Sequence, residues 1–117
     1  MSVRKTAEKR KHPRIDQHLP VRIVANGYDF LTTTQNISCL GAYCRLEKYI
    51  PPFTKIALRL ALPAEGKSRD DSHVECKGVI VRSEDNQDGG FNVAIFFNEI
   101  ADTQKKKISQ YIAKFLS

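Results

Sequence analysis

Hydrophobic and polar residues alternate along most of this chain, with the two-residue period of strands that bury one face. The clearest run is Ile56 to Leu62, where every second residue is isoleucine or leucine. Residues 74–81 are apolar at both parities, which predicts a strand buried on both faces or a β-bulge near Gly78. The full set of predicted strands covers residues 19–24, about 28–34, 42–46, 56–62, 74–81 and 91–97.

Turn-forming residues separate these runs. Asn26-Gly27 is the strongest short signal for a hairpin, and Pro51-Pro52 excludes regular structure at that point. The other breaks are polar or contain glycine, and are predicted at residues 36–41, 63–72 and 85–90.

The period changes near the end of the chain, where a helix is predicted over residues 102–116. Its apolar stripe has helical spacing and consists of Ile108, Tyr111, Ile112, Phe115 and Leu116. Asp102 is the predicted N-cap, and the lysines at 105–107 are predicted to lie on a solvated face. Six short strands and one helix predict a mostly β fold: a small six-stranded antiparallel β-barrel with a C-terminal α-helix that covers an open end or side.

Charge divides the chain into two parts. Residues 1–14 contain six basic residues and one acidic residue, out of a net charge of +6 for the whole chain. They show no apolar periodicity, so we expect a flexible basic arm that suits an anionic partner. Residues 15–117 are expected to form a single barrel domain. The absence of an apolar leader or span predicts a cytoplasmic protein without a membrane span.

Two arginines in the arm, Arg10 and Arg14, are the first candidate binding residues. Pro13 disfavours helical backbone at His12, so we expect both side chains to extend from a loop that can wrap around a ligand. A planar guanidinium can hold a phosphate through two hydrogen bonds, or pair with the O6 and N7 acceptors of guanine.

A second candidate cluster lies where the second predicted strand ends. Asn36 can accept a hydrogen bond from a guanine N–H, and Ser38 can bond a phosphate or a base acceptor. Gly41 permits a backbone geometry, or a close approach of a ligand, that a side chain would block. Taken alone, such a segment is also an ordinary turn.

Together and in this order, the two clusters resemble the PilZ domain family, whose pattern is RxxxR on an N-terminal loop and then (D/N)xSxxG on a barrel. The residues from Gly78 to Arg82 and from Phe91 to Phe97 also look like the last two strands of that family. Ala94 departs from the family, which usually has glycine there. The resemblance covers about residues 8–116.

The resemblance implies a receptor for the second messenger cyclic di-GMP. One guanine and the phosphates would be held by Arg10 and Arg14, and the other side by Asn36, Ser38 and Gly41. It implies a ligand-driven conformational switch that signals to a protein partner. It implies no cofactor, metal, nucleic acid or enzymatic activity.

Alternative functions remain open from the sequence. A nucleic-acid-binding barrel would expose aromatic residues beside basic ones, whereas Phe91 and Phe97 have the spacing of core residues. A ligand-independent adaptor would use the same barrel. The histidines at 12, 18 and 73 are far apart and form no catalytic motif, and the three cysteines, Cys39, Cys44 and Cys76, are predicted to be small buried hydrophobes rather than metal ligands.

Overall fold

The computed structural model describes residues 13–25, 27–63 and 73–116. The strands are β1 (Pro20–Ala25), β2 (Tyr28–Ile37), β3 (Gly41–Leu46), β4 (Lys55–Ala61), β5 (His73–Asp85) and β6 (Phe91–Glu99), and the helix α1 spans Asp102–Leu116. The strands form a closed barrel in the order β1-β2-β3-β6-β5-β4, with every pair antiparallel and β4 paired to β1. The predicted fold class, a six-stranded antiparallel barrel with a C-terminal helix, is confirmed.

The barrel closes because each strand presents one apolar face to a shared interior, and closure leaves no exposed sheet edge. The alternation seen in β4 is reproduced in the structure, where Ile56, Leu58 and Leu60 are buried and the residues between them are exposed. At the β1–β2 hairpin, Ala25 pairs with Tyr28, which leaves the two-residue connection that the Asn26-Gly27 pair predicted.

The helix packs against the start of β5. The Lys107 ammonium donates a hydrogen bond to the His73 carbonyl (3.1 Å), and the Gln104 side-chain oxygen accepts one from the Glu75 amide (2.9 Å). The apolar stripe is buried only in part. Its first three members lie in the core, but Phe115 and Leu116 are exposed, so only the first part of the predicted stripe covers the barrel.

The start of the helix also differs from the prediction by one residue. The Ala101 carbonyl accepts hydrogen bonds from the amides of Gln104 and Lys105, so Ala101 occupies the cap position. Asp102 lies in the first turn instead, where its charge still favours the helix dipole.

Two of the predicted strand boundaries require correction. The predicted break at 36–41 is shorter, because Asn36 and Ile37 belong to β2 and Gly41 begins β3. In β5 the register shifts between Lys77 and Val79, which confirms the predicted bulge near Gly78. The alternative prediction, that both faces of β5 are buried, is wrong, because Val81 is 47% exposed.

The basic arm predicted at residues 1–14 lies outside the described residues except for Pro13 and Arg14. The predicted polar loop at 63–72 is likewise described only at Pro63. Within the ranges that the structure describes, no helix is long and apolar enough to cross a membrane.

Candidate functional site

The segment that precedes β1 is fastened to the end of β2. Ile15 and Ile37 exchange two backbone hydrogen bonds of 2.9 Å each, and both side chains are buried. This bridge places Arg14 beside Asn36, and an Arg14 guanidinium nitrogen, Nη1, donates a hydrogen bond to Asn36 Oδ1 at 2.5 Å. The two candidate clusters, 22 residues apart in the chain, therefore meet on the outside of the barrel.

Thr34 fixes the path of the same segment. Its side chain is fully buried, and its hydroxyl donates to the Gln17 carbonyl (2.5 Å) while it accepts from the Leu19 amide (2.9 Å). The Leu19 carbonyl in turn accepts a hydrogen bond from the Thr34 amide (2.9 Å). Sequence reasoning placed Thr34 in a predicted strand and missed this role.

A β-bulge at Gln35 decides which way Asn36 faces. Thr34 pairs with Cys44, but Asn36 pairs with Tyr43, so β2 contains one more residue than β3 at this point. Without the extra residue, strict alternation from the buried Thr34 would turn Asn36 inward and Ile37 outward. The bulge reverses this, so Ile37 enters the core and Asn36 stays partly exposed beside Arg14.

Ser38 is 2% exposed, and its hydroxyl is used within the loop that joins β2 to β3. The Leu40 amide donates to Ser38 Oγ (3.1 Å), and the Ser38 amide donates to the Gly41 carbonyl (2.9 Å). These bonds close a compact turn of the kind that serine favours. In this structure Ser38 therefore shapes the loop that carries the second motif.

Gly41 lies where two strands of the barrel come unusually close. A Cβ atom at this position would be 2.2 Å from the Ile95 carbonyl oxygen on β6. No side chain fits at that distance without movement of the backbone. The requirement for glycine is therefore explained by the neighbouring strand of the protein itself.

Asn36 is the first of a row of paired residues on neighbouring strands of the barrel. The register pairs Asn36 with Tyr43, Tyr43 with Ala94, and Ala94 with Arg82. Arg82 is exposed, and its Nε lies 3.7 Å from a carboxylate oxygen of Glu84. Sequence reasoning did not connect Tyr43 and Arg82 with the site, because their neighbourhood depends on strand order rather than on spacing along the chain.

Two open grooves flank different parts of the barrel. A groove of about 440 Å³ lies between β2 and β3, and its lining includes His18, Thr33 and Gln35. A larger groove of about 570 Å³ crosses β4 and β5 near the start of α1 and contains none of the motif residues. The described lining of the smaller groove also lacks the motif side chains, but it includes Gln35, which precedes Asn36 in β2.

The three cysteines lie in strands of the barrel and in the loop between β2 and β3. Cys39 in the β2–β3 loop and Cys44 in β3 are buried, and Cys76 in β5 is half-buried, as expected of small hydrophobes. Burial raises the pKa of both the Cys44 and the Cys76 thiol to about 12. Among the described residues, no cluster of His, Cys, Asp or Glu could hold a metal ion.

The structure thus describes four of the five predicted site residues. Arg14 and Asn36 are in direct contact, while Ser38 and Gly41 are joined through the backbone of the loop. Arg10 lies outside the described residues.

Comparison with known proteins places this arrangement in a family. The chain is similar in fold to the Bacillus subtilis inhibitor of motility MotI/DgrA, with a TM-score of 0.78 and 22% identity over 92% of this chain and 51% of that one. It is similar to the PilZ domain of Escherichia coli YcgR with c-di-GMP, with a TM-score of 0.62 and 13% identity over 92% of this chain and 91% of that one.

A K. pneumonia MrkH–c-di-GMP complex is also similar, with a TM-score of 0.67 and 13% identity over 92% of this chain and 52% of that one. The chain therefore spans about half the length of MotI/DgrA and MrkH. A search of curated proteins found no significant match. The family model for the PilZ domain matches residues 8–114, so this chain belongs to the PilZ domain family.

Proposed function

We propose that the chain is a receptor for cyclic di-GMP and acts as a binding module rather than as an enzyme. Membership of the PilZ family supports this, as do the filled RxxxR and (D/N)xSxxG positions. Solved relatives of the same fold are described as complexes with c-di-GMP.

The observation that carries the proposal is the contact between Arg14 and Asn36. A guanine base presents acceptors at O6 and N7 and donors on its Watson–Crick edge. The guanidinium supplies donors and the amide oxygen supplies an acceptor, so the pair is matched to guanine from two directions. The bridge between Ile15 and Ile37 holds this pair in place, which reduces the ordering cost of binding.

In this proposal Ser38 and Gly41 act mainly by shaping the site. The Ser38 hydroxyl already accepts a hydrogen bond within the loop, and its side chain is only 2% exposed. Gly41 lets β3 approach β6 closely. Both keep Asn36 at a defined position relative to Arg14.

We propose that Arg10 supplies a second guanidinium from the arm, which closes over the ligand. The arm would order from Arg10 onward, at a cost on the order of 1–2 kcal/mol per fixed residue that the charged contacts must offset. The changed surface would then be recognised by a protein partner. Amide hydrogen exchange of residues 1–14 with and without cyclic di-GMP tests this step, and equal slow exchange in both states would contradict it.

Binding of nucleic acid is a second candidate function, supported by one observation. Phe53 and Phe96 are exposed. Lys55 follows Phe53 by two residues and pairs with Val79, which also pairs with Phe96, while Arg82 pairs with Ala94. Exposed aromatic residues beside basic ones are expected of a nucleic-acid-binding barrel. The two functions differ in salt dependence. An oligonucleotide contacts many phosphates and its affinity falls steeply with salt, whereas cyclic di-GMP has only two phosphates.

The test is calorimetric titration with cyclic di-GMP, with competition by cyclic di-AMP, GMP and an oligonucleotide at two salt concentrations. We expect micromolar or tighter binding of cyclic di-GMP, with a shallow salt dependence and much weaker binding of the competitors. Adenine presents a donor where guanine presents O6, so it would face the arginine with the wrong polarity. Tight, steeply salt-dependent oligonucleotide binding with no response to cyclic di-GMP would refute the proposal.

Substitutions then assign the residues. Arg10→Ala, Arg14→Ala and Asn36→Ala should each weaken binding. A charge-assisted hydrogen bond contributes about 1.5–3 kcal/mol, so the loss for each arginine should be roughly tenfold or more. Arg59→Ala is the matched control, because Arg59 is an exposed arginine on β4 that lies at no motif position. Equal losses from all the arginines would show a nonspecific cationic surface instead.

A further inference from the structure

Two aromatic side chains lie on the outer face of the barrel next to the motif residues. Tyr43 on β3 pairs with Asn36, and Phe96 on β6 pairs with Gly41. The Cα atoms of residues paired in this way are about 4.5–5.5 Å apart. The backbone of β6 is close at Gly41, because an added Cβ atom would be 3.4 Å from the Phe96 Cα. Both aromatic residues therefore adjoin the candidate site.

Strand alternation turns both rings outward. The residues on either side of Phe96, Ile95 and Phe97, are buried, and Phe96 itself is 44% exposed. The neighbours of Tyr43 along β3 are likewise buried, and Tyr43 is half-buried. Among the described residues, neither ring is paired with another aromatic ring. The two rings are therefore placed to contact a molecule outside the barrel.

Small residues lie opposite both rings. The register pairs Tyr43 with Ala94 and Phe96 with Gly41, so each ring faces a methyl group or no side chain on the neighbouring strand. Tyr43 and Phe96 are diagonal neighbours, and such positions are about 7–8 Å apart. Gly41 and Ala94 complete this square of four residues, which we call the aromatic platform. It offers two rings and little else to a molecule that covers it.

The Arg14–Asn36 contact accounts for one base of the proposed ligand. Its guanidinium donors and amide oxygen suit the edge of a single guanine. A cyclic dinucleotide carries a second base, whose flat faces stack on aromatic side chains. Arg14 lies on the side of Asn36 that faces the segment before β1, and Tyr43 lies on the opposite side, on β3. A ligand that extends from Asn36 away from Arg14 therefore reaches the aromatic platform.

The position and chemistry of the aromatic platform select its occupant. The platform is continuous with the second motif, because Gly41 belongs to both and Asn36 pairs with Tyr43. Its four residues carry no ionised group near neutral pH. A purine base is flat, aromatic and uncharged, so it matches the two rings by shape and by charge.

We propose that the aromatic platform holds the second base of a cyclic dinucleotide by its face, while the Arg14–Asn36 pair reads the first base by its edge. This inference rests on the proposed function and adds the physical basis of its base specificity. Stacking tolerates different bases, because every base has an aromatic face. The receptor therefore requires guanine at one position of the ligand and accepts either purine at the other.

The first experiment compares three ligands by calorimetric titration of the wild-type chain: cyclic di-GMP, cyclic di-AMP and the mixed cyclic dinucleotide with one guanine and one adenine. Cyclic di-GMP binds in two equivalent orientations and the mixed ligand in one, which alone lowers the affinity about twofold. We expect the mixed ligand to bind within about tenfold of cyclic di-GMP, and cyclic di-AMP far more weakly. A mixed ligand as weak as cyclic di-AMP would overturn the proposal, because both edges would then be read.

The second experiment removes the rings one at a time. Phe96→Ala and Tyr43→Ala should each weaken cyclic di-GMP binding about fivefold or more, because stacking is lost. Phe96→Trp, which keeps a ring, should bind as the wild type does. Phe115→Ala is the matched control, because Phe115 is 48% exposed and lies on α1 at no motif position. Its substitution should leave the affinity unchanged.

A purely structural role for the Phe96 ring is tested by Phe96→Leu. We expect this variant to melt close to the wild-type temperature, because leucine still covers Gly41, and to bind cyclic di-GMP more weakly. If the ring served only to cover Gly41, Phe96→Leu would bind the nucleotide as the wild type does, and the proposal would be overturned.

The same titrations separate this inference from the proposed function. A wild-type chain that does not bind cyclic di-GMP contradicts both. Binding by the wild type that is unchanged in Phe96→Ala and in Tyr43→Ala contradicts only the aromatic platform. Loss of oligonucleotide binding in these variants, with cyclic di-GMP binding intact, would assign the rings to a nucleic-acid surface and would also overturn the inference.

Discussion

Gly41→Ala tests whether the second motif contributes to the barrel itself. The new Cβ would be 2.2 Å from the Ile95 carbonyl oxygen and 3.2 Å from the carbonyl carbon, whereas an ordinary contact begins near 3.4 Å. Strands β3 and β6 must therefore separate by about 1 Å at this point. The nearby hydrogen bond from the Phe97 amide to the Leu40 carbonyl (2.8 Å) would lengthen with them.

The expected cost follows from these two effects. Overpacking of this kind costs about 1–3 kcal/mol, and the loss of one backbone hydrogen bond adds about 1 kcal/mol. Since domains of this size have a stability of about 5–15 kcal/mol, the variant should still fold. Urea unfolding followed by far-ultraviolet circular dichroism measures the loss, which we expect to be about 2–4 kcal/mol.

Gly27→Ala is the matched control. Gly27 has a positive φ of 74°, but no atom lies within 4 Å of the point that an added Cβ would occupy, so only backbone strain is added. That strain costs on the order of 1 kcal/mol. If Gly41→Ala destabilised the chain no more than Gly27→Ala while it abolished cyclic di-GMP binding, the close approach of β6 would not be the reason for glycine, and direct ligand contact would be.

The remaining predictions concern buried polar groups. Ser38→Ala leaves the Leu40 amide without its acceptor and should destabilise the chain by about 1–3 kcal/mol in urea unfolding, with no effect if the turn closes without the hydroxyl. Thr34→Val should lower the free energy of unfolding by a similar amount. It should also weaken cyclic di-GMP binding, because it loosens the segment before β1 that carries Arg14. Unchanged affinity would show that this segment does not contribute to the site. Because the pKa values of Cys44 and Cys76 are raised, the folded state keeps both thiols protonated at a pH where the unfolded chain ionises them. The free energy of unfolding should therefore fall as the pH rises from about 9 towards 12. Urea unfolding at a series of pH values checks this, and a variant with alanine at both positions should show a flatter dependence.

The alternation of apolar residues was sufficient to predict the strands, because a period of two has a direct meaning when one face is buried. It did not predict the bulge at Gln35, because Thr34, Gln35 and Asn36 are all polar and no apolar residue marks the change of phase there, whereas apolar residues at both parities marked the bulge near Gly78. It also could not show how far the helix is covered. Periodicity identifies the face that Phe115 and Leu116 share with the buried residues, but the neighbouring strands determine where burial ends.

The candidate site likewise contains features that the sequence predicts and features that depend on neighbouring strands. The residue types and their spacing predicted Arg14, Asn36, Ser38 and Gly41 as candidates that all face a ligand. In the structure Arg14 and Asn36 are joined by their side chains, whereas Ser38 is used within the turn and Gly41 in the close packing against β6. Such a distinction requires partners far away in the sequence, which no local pattern contains.

The orientation of Asn36 is a consequence of core packing. Ile37 is fully buried and pairs with Ile15, and both placements need β2 to gain one residue after Thr34. The bulge that satisfies this requirement turns Asn36 outward, and the same pairing of Ile37 with Ile15 brings Arg14 to it. The burial of one isoleucine therefore accounts for both halves of the Arg14–Asn36 contact, which follows from the packing of the core.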